Sequence, residues 1–548
     1  MSLRNRLVLP IVLSGLAVLA GCGSTNSVVP PPTGAFSNTD FNGTYTFSVT
    51  GSDVNGPMSV AGSLTACGCT GGTISGGAVD FDDSLLVAPG SAVGNNSIYS
   101  ISKDGRGTAK LFITPTGGTA FIVSVDFVLI SSSHGLIVRY DGGGTGSGTI
   151  DLQAAAVAQS SLDVTPYAFT LSGMDAGGDI ISTVGSLTLN SSGTITAGVE
   201  DCNVNGGTFF TSALTGSVLV GSGTTPGSAT IQTSCASGSL AFDVYTIDST
   251  HLKIIESDGL AFLVGDAFAQ TSTSFPQGGL VFTMAGLDSL TSSGGPFVAG
   301  GTMTSDGASQ LTAGLEDVND FNTGVDGGVT PPAPLNFGGT FVASPSGSGR
   351  FQVTLSGTSG AFFGGTDFVA YPSSGGLLLL QTDVGISAGV TSGIALPQTA
   401  GAAIAATQGY GLNNQGTDFN TGSELDEIAQ FTTTSSGMTG LLDDNDGGSL
   451  NTSNVNGTYT AGSNGAGSAT IGSRLQSMFY YAADSSTVLF ISTDPNQIAS
   501  GVFEEQTAPS GNAEQTSTVR PRALPMFRAI PRSRKATPHS QSKIGLTK

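Results

Sequence analysis

Thr194-Ile195-Thr196-Ala197-Gly198-Val199-Glu200-Asp201 decides the reading of this chain, because the same phrase is written four times. Thr73-Ile74-Ser75-Gly76-Gly77-Ala78-Val79-Asp80 comes before it. Leu311-Thr312-Ala313-Gly314-Leu315-Glu316-Asp317 and the weaker Met438-Thr439-Gly440-Leu441-Leu442-Asp443-Asp444 come after. Asp80, Asp201, Asp317 and Asp444 are therefore spaced 121, 116 and 127 residues apart. A second landmark, Gly107-Thr108-Ala109-Lys110-Leu111, matches Gly227-Ser228-Ala229-Thr230-Ile231 and Gly467-Ser468-Ala469-Thr470-Ile471, with Gly349-Arg350-Phe351-Gln352-Val353 as the divergent copy. A later strand-like run ends in Asp141, Asp258, Asp383 or Asp494, and each unit closes on a glutamine: Gln153, Gln270, Gln398 or Gln506. Landmarks that keep one order at a regular spacing mark a tandem repeat.

Within a unit the apolar residues alternate, as at Phe121, Val123, Val125, Phe127 and Leu129. Alternation bounded by Gly, Ser and Asn reads as half-buried β-strands. In the first unit the strand-like runs fall at 44–50, 57–66, 72–80, 96–102, 106–114, 119–130, 135–141 and 146–152. Asn55-Gly56 and Asp104-Gly105 are hairpin signals between them. No capped amphipathic helix follows residue 22, so the expected class is all-β. Four tandem antiparallel modules are expected, at 40–153, 165–270, 278–398 and 407–506. Eight sequential strands with short links can close into an up-and-down barrel. A two-sheet β-sandwich is the alternative, and the lack of a long crossover connection favours the barrel. Gly43-Thr44-Tyr45 resembles the Gly-x-Trp opening of lipocalin-like barrels, with tyrosine in the place of tryptophan; the resemblance implies a barrel and lends no ligand.

Composition bounds the partners. The 548 residues are 38% apolar and 10% charged, too apolar for a disordered chain. Residues 23–516 hold all 39 acids against seven basic residues, a net charge of −32. Such a body repels phosphates and excludes nucleic-acid binding. It suits solubility outside the cell or weak cation binding. The tail beyond 516 reverses the sign, with eight basic residues and no acid. The segment 507–548 reads as a disordered basic tail with two candidate roles: none, or an arm for anionic lipid, glycan or the acidic body itself.

The N-terminus supplies an address. Arg4 and Arg6 precede a 13-residue apolar run, Leu7 to Leu19, which leads into Leu19-Ala20-Gly21-Cys22. That run is too short for a transmembrane span of about 20 residues, and its layout is that of a secretory signal. It resembles the bacterial lipoprotein signal. The resemblance implies that 1–21 are removed, that Cys22 is lipidated, and that 22–39 form a flexible linker from the membrane. Gly23 in place of aspartate implies no retention at the inner membrane, hence an outer-membrane protein, on the periplasmic face or at the cell surface. The body also resembles Gly/Ser/Thr-rich repeat lipoproteins of soil bacteria, which implies no activity.

Candidate chemistry is sparse. Cys202 and Cys235 are expected to form a disulfide in the second module, and Cys67-Gly68-Cys69 is read as a local disulfide, a metal pair or two thiols. Asp443-Asp444-Asn445-Asp446-Gly447-Gly448 has the oxygen spacing of a calcium loop, which makes Asp444 and Asp446 the calcium candidates. The distal bidentate acid of such a loop is missing, so an acidic turn is the favoured reading and no other cofactor is expected. Gly385-Ile386-Ser387-Ala388-Gly389 matches a nucleophile elbow but lacks the α/β context that gives the motif meaning. His134 and His251 occupy matching positions before a strand and read as turn residues, and His539 lies in the tail. No catalytic residue is assigned. The expected function is surface display, adhesion or ligand binding by a lipid-anchored repeat protein, with a glycan or protein partner. The alternatives are a secreted glycan-active hydrolase and a barrel that carries a small apolar ligand.

Overall fold

The computed structural model describes residues 35–507, apart from 84–85, 155–156, 176–177, 205–207, 234–237, 289–293, 322, 329–331, 358–364, 385–388, 463 and 473–476. Among the described residues the chain is all-β, with 35 strands and three short 3-10 turns. The strands form four sheets in sequence order. In each, the pairing is antiparallel and mostly between neighbours in sequence, and the last strand returns to the first. Asn42–Asp53 pairs with Gly144–Leu152, Tyr167–Asp175 with Ala261–Ala269, Gly278–Leu287 with Val390–Pro397, and Gly409–Asp418 with Gln497–Glu505. That is up-and-down topology, not the Greek key of a sandwich.

Closure differs between modules. The fourth sheet is a closed eight-stranded barrel. The third closes where Pro296–Ser305 pairs with Gln310–Asp320. The second has nine strands and nearly closes, its ends meeting at the bridge Thr194↔Ser217. The first departs most from the expected eight-stranded barrel. Its extra strand, Ile98–Ile101, takes up Gly107 to Lys110 of the strand Arg106–Thr114. Val87–Val93 is left with only Ala92↔Thr114 and Val93↔Ile113, so this sheet curls without forming a full barrel.

The interiors are packed with side chains. Tyr45, Phe47, Leu111 and Phe127 fill the first module, and Phe169, Ile181, Phe242 and Leu252 the second. Phe282, Phe341 and Phe351 fill the third, and Leu412, Phe431, Phe490 and Phe503 the fourth. The tyrosine of the lipocalin-like opening has a structural task. Tyr45 donates its hydroxyl to Ser132 O at 2.5 Å, Tyr167 to Ser249 O at 2.5 Å and Tyr410 to Ser485 O at 2.6 Å. In each case the buried ring ties the first strand to a late hairpin of the same module. Leu280 in the third module also lies in its core but has no hydroxyl to donate.

Strand register shows which residues correspond. One row reads Thr149–Ser48–Ala61–Asp80 in the first module and Asp266–Thr170–Val184–Asp201 in the second. It reads Ile394–Thr283–Gly300–Asp317 in the third and Val502–Asn413–Ile428–Asp443 in the fourth. All four rows lie on the outward face. The fourth aspartate of the series is therefore Asp443 rather than Asp444, because alternation puts Asp444 on the inward side with Leu442 of the barrel core.

The four modules form a ring. Ala61 of the first packs on Tyr245, Ile255 and Val264 of the second. Met174 and Ile180 of the second meet Leu287 and Val390 of the third. Gly300 of the third leaves room for Tyr481 and Ile491 of the fourth. At Gly411 of the fourth a Cβ would lie 2.6 Å from Ile130 Cδ1 of the first, so that close approach requires glycine. These contacts set the outer face of one module's opening strands mainly on the closing strands of the next. A head-to-tail contact of this kind makes a ring when its rotation closes, and here it closes after four steps. An apolar cluster drawn from all four modules, including Leu136, Val184, Tyr371, Leu378 and Leu489, joins their outer faces.

The closing glutamines are clasps between modules. Gln153 Nε2 donates to Thr246 O at 2.8 Å, Gln270 to Gly349 O at 3.2 Å and Gln398 to Ala482 O at 2.9 Å, each in the following module. Gln506, the last, donates to Leu129 O and Asp104 O of the first module, both at 2.9 Å. Next to the clasps the backbone repeats the same bond, with Ala154 N on Ile247 O, Thr399 N on Ala483 O and Thr507 N on Ile130 O. Gln506→Ala strands two buried carbonyls at the seam that has no chain connection across it. A loss of about 1–3 kcal/mol in urea unfolding is expected, with hydrogen exchange rising first in Gln497–Glu505.

Candidate functional site

The ionisable residues singled out from the sequence gather at the four seams between modules. At the second-to-third seam, Arg350 Nε lies 2.5 Å from Asp201 Oδ2 and its Nη2 lies 2.7 Å from Oδ1. Tyr371 donates its hydroxyl to the same carboxylate. The fork geometry matches guanidinium to carboxylate. At the fourth-to-first seam, Arg106 Nη1 lies 3.9 Å from Asp443 Oδ2. Arg106 follows Gly105 where Arg106–Thr114 begins, as Arg350 follows Gly349 just before Phe351–Gly357, so the structure shifts the sequence match of Gly107 with Gly349 by two residues. Other side chains also bond across that seam, among them Thr145 to Asp426 at 2.7 Å, Asn445 to Arg139 O at 2.8 Å, Gln415 to Thr50 O at 3.0 Å, Tyr140 to Asn451 O at 3.0 Å, Ser147 to Asn414 O at 3.2 Å and Asn413 to Ile137 O at 3.3 Å.

The other two seams hold their aspartates without arginine. At the third-to-fourth seam, Tyr481 donates to Asp317 Oδ2 at 2.8 Å. Burial, opposed by that bond, lifts Asp317 to a pKa of about 7, and burial together with Asp317 and Asp326 lifts Glu316 to about 8. At the first-to-second seam Asp80 lies beside Asp243 and Tyr245, and burial is the main cause of its raised pKa.

A chain of charges links the first, second and fourth modules. His134 Nδ1 is 2.6 Å from Asp151 and its Nε2 is 3.1 Å from Glu504. Burial disfavours a charged imidazole, yet the two carboxylates outweigh it and raise the pKa to about 10. Burial alone would raise Asp151, but His134 and Lys253 hold it below the ordinary carboxylate range. Lys253, fully buried, donates to Thr149 Oγ1 at 2.7 Å and pairs with Asp266 at 3.2 Å and Asp151 at 3.5 Å. His251 joins Asp266 at 2.8 Å. Both histidines are thus the first residues of strands, His251 buried and His134 half-buried, each against a carboxylate, and neither is a turn residue.

The remaining candidates fall as follows. Cys67 and Cys69 are bridged, with Cα atoms 5.2 Å apart. Cys202 is buried in the second core and disulfide-bonded, while Cys235, its expected partner, lies outside the described residues. Cys22, His539 and residues 385–388 of the elbow motif also lie outside them. Asp444 and Asp446 belong to the strand Gly437–Asp446, and only Gly447 and Gly448 make the turn. Asp444 accepts from Asn451 at 2.7 Å and Asp446 from Thr421 at 2.8 Å. Among the described residues no group of three or more His, Cys, Asp or Glu is arranged to hold a metal ion. No described helix is long and apolar enough to cross a membrane.

Fold and seams together define a class: an all-β protein of four up-and-down modules closed head to tail. No family model matches the chain, and no curated protein matches it. Among solved structures it is similar to a mutant of transferrin binding protein B, a vaccine antigen from Haemophilus parasuis Hp5, at 8% identity over 70% of this chain and 86% of that one, with a TM-score of 0.15. It is also similar to CghA, at 10% identity over 66% and 95% of the two chains, with a TM-score of 0.14. Likenesses at that level carry no structural or functional argument.

Proposed function

We propose that this chain is an exported, lipid-anchored, non-enzymatic protein, a rigid acidic ring that acts by binding at the cell envelope. One observation carries the non-enzymatic part of the reading. Asp80, Asp201, Asp317 and Asp443, together with His134 and the closing glutamines, face partners across the seams. A glycoside hydrolase needs two carboxyl groups facing a cleft open to sugar and water, whereas Asp80, Asp201, Asp317 and Asp443 are buried at seams. A carrier of an apolar ligand needs a hollow interior, and these interiors are filled. Anchoring rests on Leu19-Ala20-Gly21-Cys22. The basic tail beyond 516 offers a second, electrostatic contact with anionic lipid or glycan.

Two measurements test the proposal. Metabolic labelling with a fatty-acid analogue is expected to mark the chain and hold it in the outer-membrane fraction, and Cys22→Ala to lose both; an unlabelled wild-type chain would end the anchoring. Incubation with a panel of envelope and extracellular polysaccharides is expected to give retention on immobilised glycan without new reducing ends. Release of reducing ends would replace binding by hydrolysis.

A further inference from the structure

Each seam places a second polar residue two positions beyond its aspartate. In three modules it is asparagine, whose amide donates to backbone carbonyls of the next module. Asn203 donates to Gln381 O at 3.0 Å and Gly389 O at 3.2 Å, Asn319 to Ser492 O at 2.8 Å and Gln497 O at 3.0 Å, and Asn445 to Arg139 O and Gly144 O, both at 2.8 Å. In the first module the residue is Asp82. It is 2% exposed, and among the described residues no N–H or O–H donor reaches either of its carboxyl oxygens. The group within hydrogen-bonding reach is the carboxyl of Glu256 in the second module. Glu256 Oε1 accepts from Asp258 N at 2.8 Å, while Oε2 is buried and meets no described donor.

Two carboxylates in that position repel, and two carboxyl groups that share a proton attract. Among the described residues the surroundings supply no compensating cation. Asp83, next to Asp82, shares hydrogen bonding with Asp53, and the carboxyl of Asp258 in the second module also lies within hydrogen-bonding reach of Glu256. Asp80, Asp243 and Tyr245 lie further along the same seam. Lys253 and His251 are engaged with Asp151, Asp266 and Thr149 at its other end, and Arg139 is paired with Asp141 at 3.1 Å.

We infer that the seam between the first and second modules is a proton-dependent latch, in which Asp82 and Glu256 share a proton across the interface and part when it is lost. Burial raises both groups above the ordinary carboxylate range, which agrees with that assignment. The sign follows from linkage. Stability carried by a raised carboxyl is complete below the unfolded value near 4 and is lost as pH rises through the folded value. The ring therefore loosens at this seam on the alkaline side, while the arginine-clamped seam at Asp201 does not follow it.

The test uses the full-length chain in detergent, with melting followed by calorimetry from pH 5.5 to 9. The wild-type melting temperature is expected to fall by several degrees over this range. Asp82→Asn puts at the first seam the amide that the other three possess, and is expected to flatten the slope and raise the melting temperature at pH 9. Glu256→Gln is expected to flatten it too. Hydrogen exchange, corrected for intrinsic rate, is expected to rise with pH in Ile74–Asp83 and His251–Glu256 but not in Ile195–Val204. A wild-type slope retained in both variants would overturn the latch. So would a fall in melting temperature on adding a chelator at pH 6, because a cation rather than a proton would then join the two carboxyls.

Discussion

Arg350→Ala is expected to lower the unfolding free energy by about 3–5 kcal/mol, the range for breaking a buried ion pair from one side. Arg350 is 4% exposed and Asp201 fully buried. The guanidinium supplies two of the hydrogen bonds on that carboxylate, and the hydroxyls of Tyr371 and Thr211 supply the rest. Hydroxyls satisfy lone pairs but do not neutralise charge. The variant must therefore bury an anion without a counterion, or protonate it, or open the second-to-third seam. Urea unfolding at pH 7 measures the loss. Arg350→Met with Asp201→Leu should lie much closer to wild type, because a packed apolar pair can replace a buried ion pair at little cost. A loss below about 1 kcal/mol for Arg350→Ala would show that water screens the pair, as at an exposed surface.

The strands were legible because alternation is a local signal: Phe121 to Leu129 reads correctly without knowledge of any neighbour. The landmarks were legible as well, but not their task. Gln153, Gln270, Gln398 and Gln506 stood out because they recur, and recurrence does not say what a side chain reaches. Their partners are backbone carbonyls some 70 to 400 residues distant, such as Gly349 O for Gln270 and Asp104 O for Gln506. A carbonyl partner leaves no trace in residue identity. Ring closure was hidden for the same reason, since a head-to-tail array reads the same whether it ends open or closed. The fourth aspartate was misplaced by one residue because Asp443-Asp444 offers two acids, and only the inward or outward sense of the strand separates them. The place of His134 and His251 before a strand suggests turn residues. Their carboxylate partners sit across the sheet or in another module, as with Glu504, where spacing along the chain carries no signal. One clue to the seams was available: Asp-x-Asn recurs at 201–203, 317–319 and 443–445, with Asp82 as the exception.

Lys253→Leu alone is expected to be destabilising by a similar margin, about 3–5 kcal/mol, even though leucine is what its sister modules use. Lys253 pairs in register with Asp266 across two strands. The same cross-strand position holds Leu136 with Thr149, Leu378 with Ile394, and Leu489 with Val502. In the third and fourth modules both members belong to the apolar cluster that joins the ring. The second module has replaced an apolar pair by an ionic one, and the single change leaves Asp266 and Asp151 buried without their shared ammonium. Asp266→Ile alone strands the lysine in the opposite sense. The double variant, Lys253→Leu with Asp266→Ile, reproduces the third module's pair and should recover much of either loss. The coupling energy from the double-mutant cycle is therefore expected to be large and favourable, at the upper end of about 0.5–3 kcal/mol for residues in contact. Full recovery is not expected, because Asp151 would still have lost one of its two cationic neighbours and His251 its carboxylate. Adding Asp151→Asn separates these contributions: it removes the remaining anion while His134 retains Glu504. Additive losses in the double variant would mean that Lys253 acts chiefly through Asp151, and would shift the centre of this charge network from the second module to the first.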